Sequence, residues 1–94
     1  MPELFDRIRT AVAERRYLIG VHAGNQLDDR GIPDWQVVAG LANGVLICER
    51  PHDKPNPAVE VEQLLPDRTP VKAVWSWLPH QKVAKLVTVH YFDR

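Results

Sequence analysis

Val83-Ala84-Lys85-Leu86-Val87-Thr88-Val89-His90-Tyr91-Phe92 is the stretch on which the fold turns. β-Branched and aromatic residues fill most of it, and neither glycine nor proline interrupts it. Apolar residues fall on both faces through much of the run, the pattern of a central or doubly covered strand. Upstream, Pro79-His80-Gln81 reads as a turn, and Val71–Leu78 as another strand with Val71, Ala73, Trp75 and Trp77 on one face. Before the turn at Pro66-Asp67-Arg68, Val59, Val61 and Leu65 alternate with Glu60 and Glu62, so Ala58–Leu65 is a third strand. Residues 51–57 hold Pro51, Pro55 and Pro57, which have no amide to give a ladder, so this is a loop that offers at most a contact surface. Val45–Glu49 completes a set of four strands in a mostly antiparallel meander.

The first half of the chain has the helical period instead. Leu4, Phe5, Ile8, Ala11 and Val12 mark one apolar face of a helix over 3–16, with Arg15 and Arg16 in its last turn. Tyr17–Val21 is short and suits a strand or an extended link. A second helix spans His22–Arg30, held by Ala23 and Leu27 and stopped by Gly31, which tolerates the left-handed conformation. In a third helix Asp34 lies in the first turn, after Pro33. Trp35, Val38, Ala39, Leu41 and Ala42 form its stripe, and Asn43-Gly44 ends it. Helices first and a meander afterwards argue an α+β fold, with three helices on a four-stranded sheet. Leu4, Ile8, Leu41, Val61, Trp75 and Val87 are the expected core.

Ninety-four residues make a single domain, 1–94. Twelve Lys and Arg balance twelve Asp and Glu, which argues against a dedicated nucleic-acid binder. A local basic patch remains open at residues 69–94, where Lys72, Lys82, Lys85 and Arg94 face only Asp93. Cys48, the one cysteine, excludes an intrachain disulfide and a Cys-rich zinc site, and reads as an inert core thiol. The charged opening Met1–Asp6 gives no signal region, no apolar run approaches membrane length, and a reducing, cytoplasmic setting is expected. His22, His52, His80 and His90 lack close ligand spacing, so neither a metal site nor a cofactor is expected.

Three features together resemble a bacterial domain-of-unknown-function family, number 4258. They are the His22-Ala23…Arg30-Gly31-Ile32 segment, a helix of the Trp35–Leu41 type ending at a glycine before a strand, and the closing Leu86-Val87-Thr88-Val89-His90-Tyr91 strand. The match covers about residues 17–92. It implies a small α+β domain remotely similar to RelE-like and BrnT-like toxins, many of which are metal-independent ribonucleases. The family pattern carries an arginine four residues after the histidine, where this chain has Gln26. A neutral amide holds phosphate less well than a guanidinium, so weak RNA binding is expected.

Cleaving RNA without metal needs a base, an acid and a cation for the developing phosphorane charge. His22 and His90 are the candidates for proton transfer. Thr88 is assigned to the same strand face as His90, together with Leu86 and Phe92. Arg30 or Lys85 would hold the charge. On a helix His22, Gln26 and Arg30 stand at i, i+4 and i+8, one polar ridge. Ordinary surface and strand packing explain the same residues. A non-catalytic interaction module, binding a small antitoxin-like protein or a second copy, is the rival to the ribonuclease reading.

Overall fold

The computed structural model describes residues 2–92. The apolar spacing near the N-terminus builds α1 (Glu3–Ala13), whose Leu4, Phe5, Ile8, Ala11 and Val12 are all buried. The helix stops short of residue 16. Arg15 adopts φ 64°, and the amides of Arg15 and Arg16 turn back to the carbonyls of Val12 and Ala11. This is a left-handed close made without glycine. Pro2 supplies no side-chain cap. Glu49 Oε2 accepts the Phe5 amide at 2.8 Å instead, placing a carboxylate where the helix dipole favours one.

Tyr17–Ile19 is a true strand, β1, paired in parallel with Ala84–Leu86. The sheet therefore has five strands and is mixed, not four. A three-residue strand is too short to show an alternation in sequence. After Gly20, α2 (Val21–Arg30) buries Ala23 and Leu27 and closes through Gly31 at φ 64°, as its sequence predicts. The third helix, α3 (Asp34–Gly40), passes into a 3-10 turn at Leu41–Asn43. The stripe expected here holds at Leu41 and in part at Val38, but not at Trp35. Val37 and Leu41, one turn apart, face the core, while Trp35 is 61% exposed.

The remaining strands are β2 (Val45–Arg50), β3 (Ala58–Leu64), β4 (Pro70–Leu78) and β5 (Val83–Tyr91). The order across the sheet is β1-β5-β4-β3-β2, antiparallel except at β1. All three helices share one core with Val59, Val61, Val71, Ala73, Trp75, Trp77, Ala84, Leu86 and Val89. The other face of the sheet carries no helix.

One irregularity decides which residues face which way. Trp75 pairs with Leu86, but its neighbour Val74 pairs with Thr88, so β5 carries an extra residue at Val87. Side chains alternate along a strand, and one extra residue exchanges the faces beyond it. Leu86 and Val89 both point into the core, and Val87 is only half-buried. The expected core place of Val87 and the expected shared face of Leu86 with Thr88 and His90 are thus both corrected.

A buried polar link ties three elements together. Trp75 Nε1 donates to Gln63 Oε1 at 3.0 Å, and Gln63 Nε2 donates to the Val37 carbonyl at 2.7 Å. Both side chains are fully buried. Room for α3 comes from two glycines: a Cβ at Gly44 would lie 2.5 Å from Val61 Cγ1, and one at Gly40 would lie 3.2 Å from Gln63 Nε2. Gln63→Leu leaves both the Trp75 indole N–H and the Val37 carbonyl without a partner. It should cost about 2–4 kcal/mol in urea unfolding, whereas Glu62→Leu on the exposed side of the same strand should change stability by less than about 0.5 kcal/mol.

Candidate functional site

Strand register lays the helix-free face out in three rows. Glu62, Lys72 and His90 form the first. Cys48, Glu60, Val74 and Thr88 form the second. Arg50, Ala58, Ser76, Lys85 and Leu18 form the third. Lys85, Thr88 and His90 therefore share one face despite their uneven spacing in sequence. The extra residue at Val87 brings this about; an unbroken alternation would turn Thr88 and His90 toward the helices.

The other half of the expected site lies on α2, which runs along the outer edge of β5 where β1 stops. The Gly20 amide donates to the Leu86 carbonyl at 2.9 Å. Gly20 has no room for a side chain, because a Cβ there would lie 2.9 Å from both that carbonyl and Lys85 Cε. The Lys85 stem thus passes the start of α2, two residues before the exposed His22. One turn further on, Gln26 Oε1 accepts the Val89 amide at 2.8 Å. Beyond it, Arg30 donates to the Gln26 carbonyl at 3.3 Å and lies over the Tyr91 ring at 6.0 Å.

Gln26 therefore has a structural task invisible in the sequence: it satisfies a strand-edge amide that β1 is too short to reach. Its NH₂ is the end left for a ligand. An arginine here would have no acceptor to offer Val89. Arg30 is drawn toward Tyr91 and its own helix, so the ridge is partly committed to packing.

The centre of the helix-free face is an ion network that the sequence reading missed. Glu60 receives Arg50 Nη1 at 3.3 Å and Lys72 Nζ at 3.4 Å, and Arg50 Nε lies 3.2 Å from Asp53 Oδ2. Read alone, Glu60 and Glu62 look like a solvated strand face; only register shows that Arg50 and Lys72 flank Glu60. Cys48 sits beside it and is exposed, not a core thiol. Desolvation by its neighbours, then the Glu60 carboxylate, push the Cys48 thiol above its ordinary range. This is the opposite of what a nucleophilic cysteine needs.

Trp75 and Trp77 are buried against the helices, so base stacking is not open to them; Arg7 lies over Trp77 at 5.8 Å. Of the expected basic patch, Lys72 and Lys85 lie on the helix-free face and Lys82 in the β4–β5 turn, while Asp93 and Arg94 fall outside the described residues. Among the described residues no three His, Cys, Asp or Glu side chains gather as metal ligands. No helix among them is long and apolar enough to cross a membrane.

Three variants check this geometry. Gln26→Glu keeps an acceptor for Val89 and should hold stability within about 0.5 kcal/mol, while Gln26→Arg should lose about 1–3 kcal/mol and speed hydrogen exchange at the Val89 amide. Glu60→Gln removes the carboxylate beside Cys48 and leaves Lys72 without its partner, so the Cys48 thiol should titrate lower. Its alkylation by iodoacetamide at neutral pH should then be several-fold faster than in the wild type.

No curated protein and no solved structure matched the chain. The model of one family, described as a domain of unknown function (DUF4258), matches residues 19–91. That span begins at the last residue of β1 and takes in α2, α3 and the whole β2–β5 meander, including the bulge and the Gln26–Val89 contact. The chain belongs to the domain-of-unknown-function family DUF4258.

Proposed function

We propose that the domain is a toxin-like, metal-independent endoribonuclease, remotely RelE-like in its order of helices before a meander, that takes RNA on the helix-free face. The observation that carries this reading is the gathering of Lys85, Thr88 and His90 on that face by the bulge at Val87. A phosphodiester laid along β5 would meet a cation, a hydroxyl donor and an imidazole in succession. His90 would exchange a proton with the ribose 2′-oxygen or the leaving oxygen, and Thr88 would hydrogen-bond a phosphate oxygen. His22 would be the second proton carrier, reached past Gly20 by the Lys85 stem. Arg30 and the free NH₂ of Gln26 would steady the strand beside them.

Charge sets the expected strength. Arg50 and Lys72 are tied to Glu60, so Lys54 and Lys85 are the cations left for phosphate on this face among the described residues. Two phosphate contacts give a slope of about −1.4 in log affinity against log salt, so binding is weak and salt-sensitive. A cytoplasmic setting suits such a substrate.

A rival reading has its own support. β2 is an edge strand, and Val45 and Ile47 on it are 65% and 45% exposed. An open edge of this kind suits pairing with a second copy or with a small antitoxin-like partner.

Fluorescence anisotropy with a labelled single-stranded RNA, at two salt concentrations and with EDTA present, tests the proposal. The wild type should bind and cleave. His90→Ala should bind equally well but lose at least about a hundredfold in cleavage, the scale of one general acid–base group. Lys85→Ala should weaken binding about tenfold. Wild-type protein that leaves RNA unbound at low salt and elutes as a dimer would overturn the ribonuclease reading in favour of the rival.

A further inference from the structure

Helix α3 and the turn that continues it are apolar on two sides. Val37 and Leu41 face the core, while Trp35, Val38, Ala39 and Ala42 lie along a second side, at i, i+3, i+4 and i+7. Val38 is half-buried and the other three are exposed, Trp35 by 61%. A helix needs one apolar stripe to join its own core; a second, contiguous stripe marks a second neighbour. Beside it, between α3 and α1, is a cavity of about 750 Å³. Val12, Ala13, Val38, Ala39 and Ala42 give it apolar walls, and Arg9 also lines it.

The stripe is complementary to itself. One end carries a projecting indole, and the other carries Ala42 and the cavity. Seven residues, about 10 Å of helix rise, separate them. A second copy laid antiparallel across α3, with a two-fold axis between Val38 and Ala39, sets each Trp35 against Ala42 of the other copy and each Val38 against Ala39. Large side chains then meet small ones, and every contact is made twice. Charge fits the same register. Arg9 Nη2 donates to the Ala42 carbonyl at 2.8 Å, which fixes the guanidinium at the Ala42 end. Asp34, exposed, stands at the Trp35 end. Neither has an ion-pair partner within 4.0 Å among the described residues. The two-fold brings each Asp34 to Arg9 of the other copy and lays each indole beside a guanidinium.

We infer that α3 is the seat of a homodimer, a two-fold contact in which Trp35 of each copy enters the cavity between α1 and α3 of the other. The inference goes beyond the ribonuclease reading and does not depend on it: α3 lies on the opposite side of the sheet from Thr88 and His90, so that face stays open. It also differs from pairing through the β2 edge. Two indoles and their small-residue seats bury less than about 1,200 Å² in all, the class of weak, reversible contacts, so the dimer should form above about 10 μM.

Sedimentation equilibrium from about 5 to 500 μM, paired with acrylamide quenching of tryptophan fluorescence, tests it. Trp75 and Trp77 are buried, so Trp35 is the indole that acrylamide reaches. The wild type should pass from monomer to dimer, and quenching should fall as it does. Ala39→Glu puts a charge where the copies meet, and Trp35→Ala removes the projecting ring. Each should raise the dissociation constant at least about a hundredfold while leaving the urea midpoint of the monomer in place. Ile47→Lys, on the β2 edge, should leave the dimer unchanged. Arg9→Glu and Asp34→Arg should each weaken it, and the two together should restore it, because each new arginine then meets a glutamate of the other copy. A wild type that stays monomeric with constant quenching across the range overturns the inference. So does a dimer that Ile47→Lys abolishes and Ala39→Glu does not, or a charge-swapped pair that fails to recover.

Discussion

The extra residue at Val87 sets what each end of β5 presents. Before it, Ala84 and Leu86 face the helices and Lys85 faces away; after it, Val89 faces the helices and Thr88 and His90 face away. Because a strand has only two faces, no smaller adjustment would do this. Without the bulge, His90 would enter an apolar core with no partner for its ring nitrogens, a costly burial. The bulge therefore serves stability and polarity together: it keeps the core apolar and puts the chemistry-bearing residues on one surface.

The helix beside β5 solves a second problem of the same strand. A parallel strand of three residues leaves the far half of the β5 edge open, and open edges invite pairing with other chains. Helix α2 covers that half, and Gln26 supplies an acceptor for the Val89 amide. Gln26, read for its lack of charge, looks like a lost phosphate contact. Read for its hydrogen bond, it is part of the sheet. The two views differ because a side-chain amide can satisfy a backbone group that a guanidinium cannot.

The helix-free face is organised around Glu60, which forms ion pairs with both Arg50 and Lys72 and so offsets two cations at any interface there. Lys54 and Lys85 are left without a carboxylate within 4.0 Å among the described residues. Lys54 is exposed on the proline-rich segment, and the Lys85 stem runs out past Gly20.

Much of the architecture was legible in the order of residues. Helical spacing before Gly44 and strand alternation after it located three helices and four strands, and Gly31 marked its helix end, because local period and turn chemistry act within a few residues. The family membership was legible too, in the His22–Ile32 segment and the closing strand. Tertiary structure decided the rest. The parallel strand β1 has too few residues to show a pattern, and the inward turn of Val37 rather than Trp35 depends on where α3 lands on β3. The Val87 bulge depends on the partner strand, not on β5 alone. Gln63, polar and unremarkable in sequence, is fully buried because Trp75 and the Val37 carbonyl converge on it from distant parts of the chain. So it is with the candidate site: the residue types that carry the chemistry were readable, but which of them share a face is a property of register and packing, which no local stretch of sequence contains.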